Sequence, residues 1–125
     1  MKYSLDKSEK YSILKITQEK LDTSTAPDYK SEFVKLQAEG SSNMILDLSD
    51  VKYVDSSGLS ALLVGNRCFS EAGGIFVMIG MNDHVVKLIK ISQLDKVLNI
   101  VPTKEEAIDT VFLHEIESGL EEEEE

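Results

Sequence analysis

The fold is decided by Met44-Ile45-Leu46-Asp47-Leu48-Ser49-Asp50-Val51-Lys52-Tyr53-Val54-Asp55-Ser56-Ser57-Gly58-Leu59-Ser60-Ala61-Leu62-Leu63. Its first five residues are a mostly continuous apolar run of strand length, the pattern of a strand covered on both faces. From Leu59 the apolar residues change period. Leu59, Leu62, Leu63 and Phe69 form a helical stripe that ends at Gly73-Gly74, residues suited to a helix C-terminus and the turn into a strand. A second covered strand follows as Ile75-Phe76-Val77-Met78-Ile79. Strand, helix and strand in this order predict a parallel crossover unit.

The alternation extends in both directions. Residues 11–16 place Leu14 and Ile16 on one face and Lys15 on the other, as in a strand exposed on one side, with residues 3–5 as its hairpin partner across Lys7-Ser8-Glu9-Lys10. A helix enters at Ala26-Pro27, carries Tyr29, Phe33 and Leu36, and stops at Gly40. Beyond residue 79 come a helix through Val85, Leu88 and Ile89, a short strand at residues 98–101, and a last helix through Ala107, Ile108, Val111 and Phe112. The expected architecture is α/β: a single domain over residues 1–117, with a four- to five-stranded mixed, mostly parallel sheet and about four helices. Because crossover helices must cover the sheet, most of these apolar residues are core and carry no functional information. Residues 118–125, with the mutually repelling run 121–125, read as a solvated, disordered acidic tail.

Composition narrows the function. The 125 residues carry a formal net charge of −10 with 42% hydrophobic residues, enough apolar material for one core and too much for a disordered chain. There is no apolar run of membrane-spanning length, and Met1-Lys2-Tyr3-Ser4-Leu5-Asp6-Lys7 lacks the apolar stretch of a secretory signal, so the reading is a soluble, cytoplasmic protein. Arg67 is the only arginine, which argues against nucleic acid and favours a basic partner surface. Cys68 is alone and reads as a buried structural thiol. With only His84 and His114 beside it, no metal site is expected. No glycine-rich loop with a lysine is present to cradle a nucleotide, so no cofactor is expected. A receiver domain needs clustered carboxylates at strand ends to hold magnesium, and Asp47 and Asp55 stand apart. A serine hydrolase needs a base and a nucleophile elbow. Ser56 lacks the glycine two residues before it, His84 lies near a helix start and His114 falls at the end of the last helix.

The loop Val54-Asp55-Ser56-Ser57-Gly58-Leu59 carries more than fold information. Asp and Ser are favoured N-caps, so the bland reading makes Asp55 and Ser56 ordinary caps. The sharper reading notes two hydroxyls at the positive end of a helix, where free N–H groups and the helix dipole favour an anion, including a phosphate on one of those serines. Phosphorylation there adds about −1.5 to −2 charge where a helix tolerates it best.

Asp55-Ser56-Ser57-Gly58-Leu59 resembles the signature loop of the bacterial anti-sigma factor antagonists, the STAS domains. The resemblance covers nearly the whole chain: Leu21-Asp22 followed by Thr25-Ala26 is similar to the family's approach to its first helix, Ile45-Leu46-Asp47-Leu48-Ser49 to the strand before the signature, and Gly73-Gly74 to the next helix-to-strand turn. It implies phosphorylation of Ser56 by a partner that is both an anti-sigma factor and an ATP-dependent serine kinase. The unphosphorylated form would bind that kinase and free a sigma factor. The phosphorylated form would be released and reset by a phosphatase. On the same basis Asp55 would shape the loop and orient Ser56; Ser57 and Gly58 would open the helix; and Asp22, in a neighbouring loop, would form the partner-binding surface together with Asp55, Ser56, Ser57, Gly58 and Leu59. The chain departs from the family pattern at Ser60, where glycine is common, and at Gln18-Glu19-Lys20, where a Gly-Glu or Gly-Asp turn is usual. The alternative within the fold is a constitutive STAS interaction module, such as a scaffold, a stressosome-like component or a transporter-associated subunit, with no phosphorylation cycle.

Overall fold

The computed structural model describes the backbone of residues 1–124 and the side chains of residues 1–119. A five-stranded sheet has the order β1-β2-β4-β6-β7, built from β1 (Tyr3–Lys7), β2 (Ser12–Ile16), β4 (Met44–Asp47), β6 (Phe76–Ile79) and β7 (Asn99–Ile100). β1 and β2 form the antiparallel hairpin, and every other pairing in this sheet is parallel. Four helices connect and cover the strands: α1 (Ala26–Ala38), α2 (Ser56–Glu71), α3 (Asp83–Ile91) and α4 (Lys104–Glu124).

The continuous apolar strands follow from coverage on both faces. Met44, Leu46, Phe76 and Met78 point into a core shared with Tyr29, Phe33, Leu62, Phe69, Val85 and Ile89 of α1, α2 and α3. Their neighbours Ile45, Val77 and Ile79 point the other way, against Ala107 and Val111 of α4. Two-sided burial leaves no polar alternation to write into β4 or β6. In the larger core, the Phe33 and Phe76 rings meet edge to face with centroids 5.3 Å apart, a favoured quadrupole geometry.

Three differences from the sequence reading have physical causes. β2 keeps the expected alternation, with Leu14 and Ile16 buried, but its other face is half-covered rather than open, because Ile13 packs with Tyr11 beside α4. A separate parallel pair, β3 (Lys20–Leu21) with β5 (Tyr53–Val54), is too short to show a period. Finally, α4 continues past residue 117 to Glu124, so the boundary falls inside a helix. Glutamate is a good helix former, and i,i+4 repulsion costs only a few tenths of a kcal/mol per pair. Residue 125 lies outside the described residues.

Candidate functional site

The small β3–β5 pair builds the site, because the two loops of interest leave its two strands side by side. β3 ends in Leu21 and enters the turn Asp22-Thr23-Ser24 before α1, and β5 ends in Val54 and enters Asp55 before α2. The Asp55 N–H donates to the Leu21 carbonyl at 3.3 Å, closing the pair.

Asp55 is the N-cap of α2, with extended backbone at φ −102° and ψ −172°. Its Oδ1 accepts the Gly58 N–H at 2.9 Å, satisfying one of the free donors of the first turn. Its Oδ2 reaches the other loop and accepts from both the N–H and the hydroxyl of Thr23, each at 3.2 Å. The Gly58 N–H bond, with those from Thr23, holds the Asp55 carboxyl below its ordinary pKa against the opposing effect of desolvation. The bland reading of Asp55 as a cap is correct, and the same carboxylate also ties the two loops together.

Asp22 closes its own turn. Its Oδ1 accepts from the Ser24 hydroxyl at 2.6 Å and the Ser24 N–H at 3.0 Å, and its carbonyl accepts from Thr25 and Ala26 N–H at the start of α1. The Ser24 hydroxyl is the main reason the Asp22 carboxyl also lies below its ordinary value. Gln18, in the stretch that departs from the pattern the resemblance implies, is put to use: its Oε1 accepts from the Lys2 N–H at 3.2 Å and from the Tyr29 hydroxyl of α1.

The two serines differ. Ser57 is half-buried and its hydroxyl lies 3.2 Å from that of Thr23. Ser56, the first residue of α2, is exposed, and its hydroxyl has no partner among the described residues. Ser56 is therefore not a cap. Gly58 is buried because the helix start presses on β3. A Cβ there would lie 2.2 Å from the Leu21 carbonyl oxygen and 2.7 Å from Val54 Cγ1. Leu59 is half-buried against the larger core, so its first duty is packing.

Sequence reasoning missed Thr23, the residue through which the loops touch. Its signal was no more than a hydroxyl beside Asp22, since the contact spans 32 residues of sequence. Three residues singled out earlier lie elsewhere. His84 is exposed in the first turn of α3. His114 sits in mid-α4 rather than at its end, with Nε2 2.9 Å from the Gly73 carbonyl. Cys68 is half-buried rather than fully enclosed, and desolvation raises its thiol pKa, the reverse of what a reactive cysteine needs. Among the described residues, no group of three or more His, Cys, Asp or Glu could hold a metal ion. No described helix is long and apolar enough to cross a membrane.

A sheet flanked in this way, with a capped Asp-Ser-Ser-Gly helix start beside it, defines the class. The STAS domain profile matches residues 2–107, and the chain belongs to that family. Its relatives bear a more particular name. Over 73 residues, 58% of this chain, it is 32% identical to a Thermotoga neapolitana protein provisionally named an anti-sigma factor antagonist, and the match spans 65% of that relative, just under two thirds of its length. It is 26% identical over 80 residues to the anti-sigma-B factor antagonist of Listeria monocytogenes, covering 64% of this chain and 70% of the relative. A Thermotoga maritima crystal structure, also provisionally named an anti-sigma factor antagonist, superposes with a TM-score of 0.77 at 23% identity over 87% of this chain and 93% of its own. The phosphorylated form of the Bacillus cell-fate determinant SpoIIAA gives 0.66 at 20% identity over 88% and 99%. At these identities the structural agreement concerns the fold.

Proposed function

We propose that this chain is an anti-sigma factor antagonist that works by binding rather than by catalysis, with Ser56 as its phosphorylation switch. In this reading the unphosphorylated protein docks the Asp22 and Asp55 loops on an anti-sigma factor that is also a serine kinase, releasing a sigma factor. The kinase phosphorylates Ser56 and lets go, and a phosphatase restores the hydroxyl. One observation carries the reading: the Ser56 hydroxyl is exposed and free, beside an Asp55 cap whose two oxygens are already committed. The relatives' names give the partner class, and SpoIIAA supplies a solved structure of this fold in a phosphorylated form.

The chemistry of the site suits such a switch. A phosphate on Ser56 would meet the positive end of α2, where added negative charge stabilises a helix by about 0.3 to 1 kcal/mol at an exposed position. The fold therefore survives modification. A docked partner would face a dianion that repels carboxylates, resists desolvation and fills space, so binding is lost with no rearrangement of the antagonist. Asp55 contributes by fixing the loop. With both oxygens engaged, it is not free to take the Ser56 proton, and the base must come from the kinase.

The test is a paired pull-down from native-host lysate with purified Ser56→Ala and Ser56→Asp proteins. A protein with an ATP-binding kinase domain, retained by the alanine form and lost by the aspartate form, supports the switch. The same partners on both forms would instead favour the constitutive module. Mass spectrometry placing the phosphate on Ser57 would move the assignment by one residue.

A further inference from the structure

The second half of α4 has a different construction from the first. Ala107 and Val111 bury themselves against β4 and β6. After Val111 the helix is held by polar contacts instead: the His114 ring to the Gly73 carbonyl at 2.9 Å, and the Asn43 side-chain amide donating to Glu115 at 2.8 Å. With its inner face fixed in this way, the helix turns Phe112, Leu113 and Ile116 outward, exposed to 44%, 57% and 60%. Phe112 is steadied by an edge-to-face contact with Tyr11, centroids 6.5 Å apart. All three residues lie beyond residue 107, where the family match ends.

Charge says what fits this face. Asp109, Leu113 and Glu117 lie in one i,i+4 row, so exposed acids stand one turn before and one turn after the apolar residues. After Lys104 the sequence has no further Lys or Arg. A second copy pairing helix to helix would bring acids against acids whether parallel or antiparallel. An anionic lipid surface would be repelled.

We propose that the outer face of α4 around Phe112, Leu113 and Ile116 is a second docking surface, whose partner is an amphipathic helix with aliphatic side chains flanked by Lys and Arg. Apolar burial supplies the contact and the flanking acids select the basic partner. The surface is remote from Ser56. Gly73, which α4 grips, follows the C-terminus of α2, and 16 helical residues separate that end from Ser56 by roughly 24 Å. The two surfaces can be occupied together.

The probe is a synthetic helical peptide with leucines along one face and lysines on both flanks, compared with the same peptide carrying glutamates for lysines. Fluorescence anisotropy should show the lysine peptide binding the intact chain and the glutamate peptide not binding. Substituting serine at Phe112, Leu113 and Ile116 together should weaken binding at least tenfold. Ile116→Ser alone, which leaves the Tyr11–Phe112 contact intact, should weaken it by a smaller factor with the circular dichroism spectrum unchanged. Equal affinity for parent and triple variant would overturn the proposal. So would a parent dimer in size-exclusion chromatography that the triple variant lacks, since a second copy would then cover the face.

Discussion

Gly58→Ala separates two accounts of the helix start by the sign of its effect. At an ordinary helical position alanine is preferred to glycine by about 0.5 to 1 kcal/mol, so the substitution should stabilise. Gly58 is not ordinary. The new methyl would lie 2.2 Å from the Leu21 carbonyl oxygen and 2.7 Å from Val54 Cγ1, and the first obstacle is backbone, which cannot rotate aside. The first turn of α2 must back away by about 1 Å to reach ordinary van der Waals contact. That movement strains the Asp55 N–H to Leu21 bond and the bonds from Thr23 to Asp55. Overpacking costs about 1 to 3 kcal/mol, and weakening one or two hydrogen bonds adds about 1. Less the propensity gain, the net destabilisation is about 1 to 3 kcal/mol. Urea denaturation monitored by circular dichroism reads it directly. With a slope of about 2 kcal/mol per molar urea, the midpoint should fall by roughly 0.5 to 1.5 M. An unchanged or raised midpoint would show that α2 does not press on β3, and the account of how the two loops are joined would fail with it.

Other perturbations test separate parts of the structure. Thr23→Val removes the hydroxyl shared by Asp55 and Ser57; it should cost about 0.5 to 1.5 kcal/mol and speed hydrogen exchange at the Asp22 turn, and unchanged exchange would sink the claim that Thr23 joins the loops. The Asp22 and Asp55 carboxyls lie below the ordinary aspartate value, so their contribution is complete above that value and is lost as pH falls through the lower folded ones. Carbon-detected NMR titration of both carboxyls checks this, and a midpoint at or above the ordinary value for Asp55 would contradict the hydrogen-bond geometry. The Tyr3 hydroxyl donates to buried Glu32, whose hydrogen bond is the main reason the phenol is pushed up to about 12. Its stabilising effect should be intact below pH about 10 and fade between there and about 12, followed by tyrosinate absorbance; Tyr3→Phe should abolish that titration step and cost no more than about 0.5 to 1 kcal/mol, because solvent screens the bond at this partly exposed residue. Gly119→Ala, with open space around the added methyl, should raise α4 helicity, whereas no change would indicate that residues 118–124 act as the solvated tail the sequence suggested.

The architecture was legible where a single periodicity spans a whole element. Runs such as 44–48 and 75–79 announce two-sided burial, and the Leu59 to Phe69 stripe announces a helix between them. What escaped was short or long-range. β3 and β5 each have two residues in the ladder, too few for any period, yet they set the two loops side by side. In the same way, the motif marked Asp55 and Ser56 as neighbours in sequence. It gave no sign that the Asp55 side chain turns away from Ser56 towards Thr23, because that partner is chosen by the pairing of Leu21 with Val54. The partial cover over Ile13 was not legible, because nothing in residues 11–16 reports that α4, some ninety residues later, returns to pack beside it.

The Asp55-Ser56-Ser57-Gly58 loop therefore divides its work between residues that cannot exchange roles. Asp55 has spent both carboxylate oxygens on Gly58 and Thr23, Gly58 has no room for a side chain, and Ser57 shares a hydrogen bond with Thr23. Modifying any of these three would disturb the junction between α2 and β3. Ser56 alone projects a hydroxyl that the local structure does not use. A covalent charge placed there changes what a partner meets without changing the fold that carries it, which is the physical requirement for a switch that must be set and reset many times. The rigidity of the neighbours is thus a condition for the proposed switching.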